Sequence, residues 1–107
     1  MTTEIRPISS RPKVLIVDDQ RTNLMLMSEM LKGQNIYILE AMSGYVAVEL
    51  MLKYEFAVVL MDVSMPGMDG YETSELIRQN NQIKNTPIVL ITALSAKTPS
   101  LVETFPL

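Results

Sequence analysis

The chain has no cysteine, no histidine and no tryptophan among its 107 residues. Without cysteine there can be no disulfide and no thiolate metal site, which fits a reducing compartment. Without histidine the commonest general base and the commonest zinc ligand are gone, so the reactive inventory is carboxylates and hydroxyls. No apolar run approaches the roughly 20 residues that span a bilayer, and residues 1–12 lack the apolar core of a signal peptide; the expectation is a cytoplasmic chain without membrane contact. Lysine and arginine number 9 against 12 acids, a net charge of −3, and are scattered rather than gathered into a stripe. That distribution argues against direct binding of a nucleic-acid backbone. There is no internal repeat, low-complexity tract or glycine-rich phosphate loop.

What is present describes one globular domain, with 48% hydrophobic and 20% charged residues. Nine methionines indicate a soft, adaptable interior. Residues 1–12 are polar and carry Pro7 and Pro12, so they read as a flexible leader to a domain over residues 13–107.

The most informative stretch is Val58 to Gly70. Val58-Val59-Leu60-Met61 shows no polar alternation, as suits a parallel strand covered on both faces, and it ends abruptly in Asp62. Pro66-Gly67 and Asp69-Gly70 are turn chemistry. A second strand, Lys13 to Val17, also ends in acids, Asp18 and Asp19. Helices are expected from Gln20 to Lys32, with Leu24, Met27 and Leu31 on one face; from about Tyr45 to Lys53, with Val46, Ala47 and Leu50 inward; and from Tyr71 to Gln79, with Leu76 and Ile77 buried. Strands are expected at Ile36 to Leu39 and at Ile88 to Ile91, the latter followed by Thr92-Ala93. Alternating strands and helices imply an α/β fold, a doubly wound parallel sheet in three α/β/α layers. Ligands bind such sheets beyond the carboxyl ends of the strands, where Asp18, Asp19, Asp62 and Thr92 all fall.

If the first and third strands are neighbours, three carboxylates converge. Their repulsion raises at least one pKa unless a hard cation, Mg²⁺ above all, neutralises them. A carboxylate beside such an ion can attack phosphorus, because the metal screens one anion from the other. The residues therefore describe an aspartyl-phosphate site.

Three runs carry a resemblance: Val14-Leu15-Ile16-Val17-Asp18-Asp19, Leu60-Met61-Asp62-Val63-Ser64-Met65-Pro66-Gly67-Met68-Asp69-Gly70, and Pro87-Ile88-Val89-Leu90-Ile91-Thr92-Ala93. In this order they resemble the receiver domain of two-component response regulators, over about Lys13 to Lys97. The resemblance implies a flavodoxin-like fold, with Asp62 as phosphoacceptor. It implies Mg²⁺ held by Asp19, Asp62 and the Ser64 backbone carbonyl, with Asp18 acting through water. It also implies Thr92 as switch hydroxyl, the Ala93 amide on the phosphoryl group, and a histidine kinase or histidine phosphotransfer domain as partner. Gln20, Asn23, Asp69 and Gly70 are expected to be structural.

The chain also departs from that pattern. A receiver continues through a fourth helix, a fifth strand ending in Lys-Pro and a fifth helix, whereas this chain stops at Leu107. The family's phosphate-contacting lysine has no counterpart, since Lys97 comes too early. Residues 98–107 read as a stub of the fourth helix or a foreign end. An apparently missing fifth strand and helix would leave an exposed Ile88–Ile91 edge and a bare helix face, through either of which a homodimer could form. Two further readings follow: a shortened receiver kept as an interaction or oligomerisation module with impaired phosphorylation, and an aspartyl phosphatase. The phosphatase calls for a second Asp two residues after Asp62, where Ser64 stands.

Overall fold

The structure, a computed structural model, describes residue 7, residues 10–93 and residues 99–105. Its elements run β1 (Lys13–Val17), α1 (Arg21–Leu31), β2 (Tyr37–Ala41), α2 (Gly44–Lys53), β3 (Val58–Asp62), α3 (Gly70–Arg78), β4 (Ile88–Ala93) and β5 (Pro99–Phe105). The sheet order is β2-β1-β3-β4-β5. The first four strands are mutually parallel, as expected for a flavodoxin-like doubly wound sheet. The expected leader over residues 1–12 and Lys97 fall largely or wholly outside the described residues.

Burial follows from covering this sheet with helices on both sides. Leu15, Ile16 and Val17 of β1 and Val59 and Met61 of β3 have no exposed surface, which is why both strands read as continuous apolar runs. Leu15, Val17, Val59, Met61, Ile88 and Leu90 pack beneath α2 and α3, together with Ala47, Met51 and Ile77. Val14 and Ile16 pack on the other face against Leu24 of α1. That second cluster is small. Val58, Leu60, Val89 and Ile91 alternate onto the α1 side and are only half-buried, because one helix cannot cover the whole width of the sheet.

The helix faces differ in part from expectation. In α2 the buried positions are Gly44, Ala47 and Met51, while Val46 is 40% exposed and Leu50 half-buried. In α3 they are Gly70, Thr73, Ser74 and Ile77, and Leu76 is 43% exposed. Small residues occupy these stripes because the amino ends of α2 and α3 approach each other and the sheet closely. The buried hydroxyls cost little, since Thr73 donates to the Asp69 carbonyl at 2.7 Å and Ser74 to the Gly70 carbonyl at 2.8 Å.

Where the chain is described beyond β4, it is not the expected helical stub. Residues 99–105 form β5, antiparallel to β4, with a register irregularity between Leu90 and Ile91. The expected open Ile88–Ile91 edge is therefore corrected: its backbone groups are paired within the chain. The physical reason is that an unpaired apolar strand edge is a strong template, and Leu-Val-Glu-Thr-Phe over residues 101–105 is rich in strand-forming types. Among the described residues no fourth or fifth helix is present, and the fifth strand is not parallel.

Leu24 is 1% exposed and is the one fully buried side chain of α1, whereas Leu26 is 62% exposed. Leu24→Ala is expected to lower the free energy of unfolding by about 2–4 kcal/mol, and Leu26→Ala by less than about 0.5 kcal/mol. Urea unfolding followed by circular dichroism distinguishes them; equal losses would mean that α1 does not dock as described.

Candidate functional site

The site is built by adjacency of β1 and β3. The register pairs Ile16 with Leu60 and Val17 with Met61, so both strands run out of partners at the same level. Their next residues, Asp18 and Asp62, emerge side by side, with Asp19 following. One carboxylate oxygen from each of Asp18, Asp19 and Asp62 lies within 4.8 Å of the other two. The three acids expected to converge do so.

Each acid is held by local structure. Asp18 is 5% exposed, and its backbone N–H donates to the Ala41 carbonyl at 3.1 Å, anchoring the end of β1 to β2. Its carboxylate accepts the Gln20 N–H at 2.9 Å and the Asn23 side-chain amide at 3.2 Å. Asn23, which the sequence suggested was merely structural, thus orients a member of the cluster. An amide five residues after an acid, in the first turn of the following helix, is the signal that could have found it. Asp62 lies opposite Ile91 in the sheet, and its carboxylate accepts a long 3.4 Å bond from the Ser64 N–H.

The loop after β3 is fixed at both ends. The Val63 N–H donates to the Ile91 carbonyl at 2.9 Å, and the Gly70 N–H to the Val63 carbonyl at 2.9 Å. Asp69 caps α3, accepting the Glu72 N–H at 2.8 Å while the Glu72 carboxylate accepts the Asp69 N–H at 3.0 Å. A Cβ on Gly70 would stand 2.5 Å from the Asp62 carbonyl oxygen and 2.9 Å from Val63 Cα, so only glycine lets α3 start this close to the acid. Gly67 turns the loop with φ of 78°. Met65, 7% exposed, anchors its middle in the core.

Thr92 is half-buried near the end of β4, one residue beyond the partner of Asp62, and Ala93 closes that strand. Both therefore lie at the same end of the sheet as the acids. Ser64 is exposed in the loop after Asp62.

The electrostatics are those of like charges forced together. Burial and then the neighbouring Asp18 and Asp19 push the Asp62 carboxyl up to about 6, against hydrogen bonds from the Ser64 and Val63 amides. Burial also raises Asp18, opposed by its bonds to Gln20 and Asn23. A set of oxygen ligands this close, with this much unrelieved repulsion, fits a hard divalent cation.

Two outcomes follow. Asp62 is held above its ordinary range, so the folded chain binds more protons than the unfolded one between about pH 4 and pH 6. Its contribution to metal-free stability is present at the acidic end and lost as pH rises through the folded value. Full linkage would be worth about 3 kcal/mol, and screening at a half-buried carboxylate leaves about 1 kcal/mol. Asp62→Asn is thus expected to be more stable than wild type by about 1 kcal/mol at pH 7 without metal, the gap closing toward pH 4. Urea melts across that range test it, and a gap constant with pH would contradict it. Gly70→Ala is expected to cost about 1–3 kcal/mol through displacement of the β3–α3 loop, read in the same melts.

Comparison with known proteins agrees with this geometry. The sensor protein GacS of Pseudomonas syringae pv. syringae is 44% identical over 92 residues, covering 81% of this chain and 10% of the relative. The signal transduction histidine-protein kinase BarA of Escherichia coli K12 is 38% identical over 80 residues, covering 75% of this chain and 9% of BarA. The chain therefore spans about a tenth of the length of these relatives. Among solved structures, chemotaxis protein CheY4 of Vibrio cholerae superposes with a TM-score of 0.73 at 32% identity, covering 82% of this chain and 73% of that one. The response regulator TrrA of Thermotoga maritima, solved in complex with Mg²⁺-BeF, gives 0.71 at 31% identity, covering 78% and 71%. The sequence profile of the response regulator receiver domain matches residues 14–105, so the strand-end acids, the loop after β3 and the parallel sheet have one common explanation: the chain belongs to the response regulator receiver domain family.

Proposed function

We propose that this chain is a phosphoacceptor switch of a two-component phosphorelay, taking a phosphoryl group on Asp62 from a histidine kinase or histidine phosphotransfer domain. The observation that carries the reading is the convergence of Asp18, Asp19 and Asp62 within 4.8 Å at the ends of β1 and β3. In the transfer, an Asp62 oxygen attacks phosphorus, the bond from phosphorus to the donor nitrogen breaks, and the leaving imidazole takes up a proton. Asp19, Asp62 and the Ser64 carbonyl would hold Mg²⁺, with Asp18 reaching it through water, and the ion would supply the positive charge that lets one anion approach another. Asn23 and the Gln20 amide keep Asp18 aimed at the cluster. The Thr92 hydroxyl and the Ala93 amide, at the end of β4, receive the phosphoryl oxygens. The chain catalyses its own modification and does not turn over a metabolite, so it acts as a cytoplasmic switch rather than an enzyme. Phosphorylation biases two arrangements of the Thr92 end of β4.

A second reading, a receiver retained as an association module, is favoured by the half-buried Val58, Leu60, Val89 and Ile91 on the α1 side of the sheet. Self-association through that face is read by light scattering at micromolar concentration, where a monodisperse monomer would remove it.

The deciding experiment is intact mass after incubation with Mg²⁺ and acetyl phosphate. The expected outcome is gain of one phosphoryl group by the wild-type chain, and none in Asp62→Asn or after chelation of the metal. Absence of any gain in the wild-type chain would reject the phosphoacceptor reading and leave the association module.

A further inference from the structure

We infer that Arg21 is the cation that captures the anionic phosphodonor for Asp62, an assignment that rests on the phosphoacceptor reading above.

In a parallel α/β sheet the helices run opposite to the strands, so helices begin at the carboxyl end of the sheet and finish at the amino end. Arg11 precedes β1 and Lys13 opens it; Lys32 follows α1; Lys53 and Arg78 end α2 and α3; Lys84 lies in the loop before β4. All of these occupy the amino end. Arg21, the first residue of α1, is the one described lysine or arginine at the carboxyl end, two residues after Asp19. Acids occur at both ends, Glu29 and Glu55 at the amino end among these bases, but Asp18, Asp19, Asp62, Asp69 and Glu72 gather at the carboxyl end. Among the described residues, a phosphodonor carrying negative charge thus meets an acidic surface relieved only at Arg21.

Among the described residues, the local contacts of this arginine are weak. A cation in the first turn opposes the helix dipole, and α1 has no acidic residue in that turn to offset it. The side chain is exposed, and its guanidinium donates to Met42 Sδ at 3.8 Å, a weak acceptor. Among the described residues it pairs with none of the three carboxylates, so its charge is not spent on neutralising the metal site. Residues that break a local rule without local compensation belong to functional surfaces more often than to scaffolds. An exposed positive charge held only by the weak Met42 contact can turn to a phosphoryl group at little cost.

Removing the Arg21 charge has effects of opposite sign on two ligands of opposite charge. Arg21→Gln is expected to lower the second-order rate of labelling by acetyl phosphate about fivefold at low ionic strength, the difference shrinking as salt is raised toward about 0.5 M. Mg²⁺ alone, titrated calorimetrically into the same variant, is expected to bind about twofold more tightly, because a nearby positive charge has been removed. Thermal stability is expected to stay equal or rise, since a cation has left the helix start. Arg21→Lys keeps the charge and is expected to label at close to the wild-type rate. A structural defect would instead weaken metal binding and stability together. Labelling of Arg21→Gln at the wild-type rate in low salt, or a fall of Arg21→Lys to the rate of Arg21→Gln, overturns the assignment. Failure of the wild-type chain itself to label overturns the phosphoacceptor reading, and the donor-capture role falls with it.

Discussion

Repulsion among three carboxylates is the constraint on which this structure turns. β1 and β3 lie side by side and stop at the same level, so Asp18 and Asp62 cannot separate without breaking the centre of the sheet. The core beneath them is rigid: Leu15, Ile16, Val17, Val59 and Met61 have no exposed surface. The energy of packing these strands therefore holds like charges together, and burial first, then the neighbouring Asp18 and Asp19, raise Asp62 to about 6. A fold that stores repulsion in this way presents converging oxygen ligands that fit a hard divalent cation.

The surrounding parts are arranged to keep that constraint in place. Asn23 and the Gln20 amide fix Asp18 from the start of α1. Gly70 lets α3 begin against the backbone of Asp62 and Val63, and the Asp69–Glu72 capping box locks the helix start. Val63 is tied to Ile91, so the acid loop and the Thr92 end of β4 are mechanically connected. A change in charge at Asp62 has a short covalent and hydrogen-bonded route to β4, the strand against which β5 pairs.

The two faces of the sheet are unequal. Beneath α2 and α3 the core is extensive, while the α1 side leaves Val58, Leu60, Val89 and Ile91 half-buried. Pairing of β5 with β4 satisfies the backbone at the sheet edge and adds a strand, not a covering layer. The site and the uncovered face thus depend on different parts of the chain, and the carboxylate cluster is complete without a covering layer on the α1 side.

The strand-end acids, the parallel architecture and the loop chemistry after Asp62 were legible in the sequence because each depends on local order. An apolar run ending in Asp, or a Pro-Gly turn, says the same thing in any context. The convergence of the acids was only conditional until strand order was known. Helix faces were read less well: Val46 and Leu76 look like core by periodicity, yet the close approach of α2 and α3 to the sheet selects Gly44, Ala47, Thr73 and Ser74 instead. Asn23 could not be distinguished from an ordinary helix residue until its amide was seen on Asp18. Residues 99–105 became a strand because the edge of β4 was available to pair with, a fact that no local pattern contains. By itself, then, the sequence determined which residues can do chemistry and that they lie at strand ends. Tertiary structure decided which of them meet, how far their charges are perturbed and what covers the sheet, because those depend on contacts between residues distant along the chain.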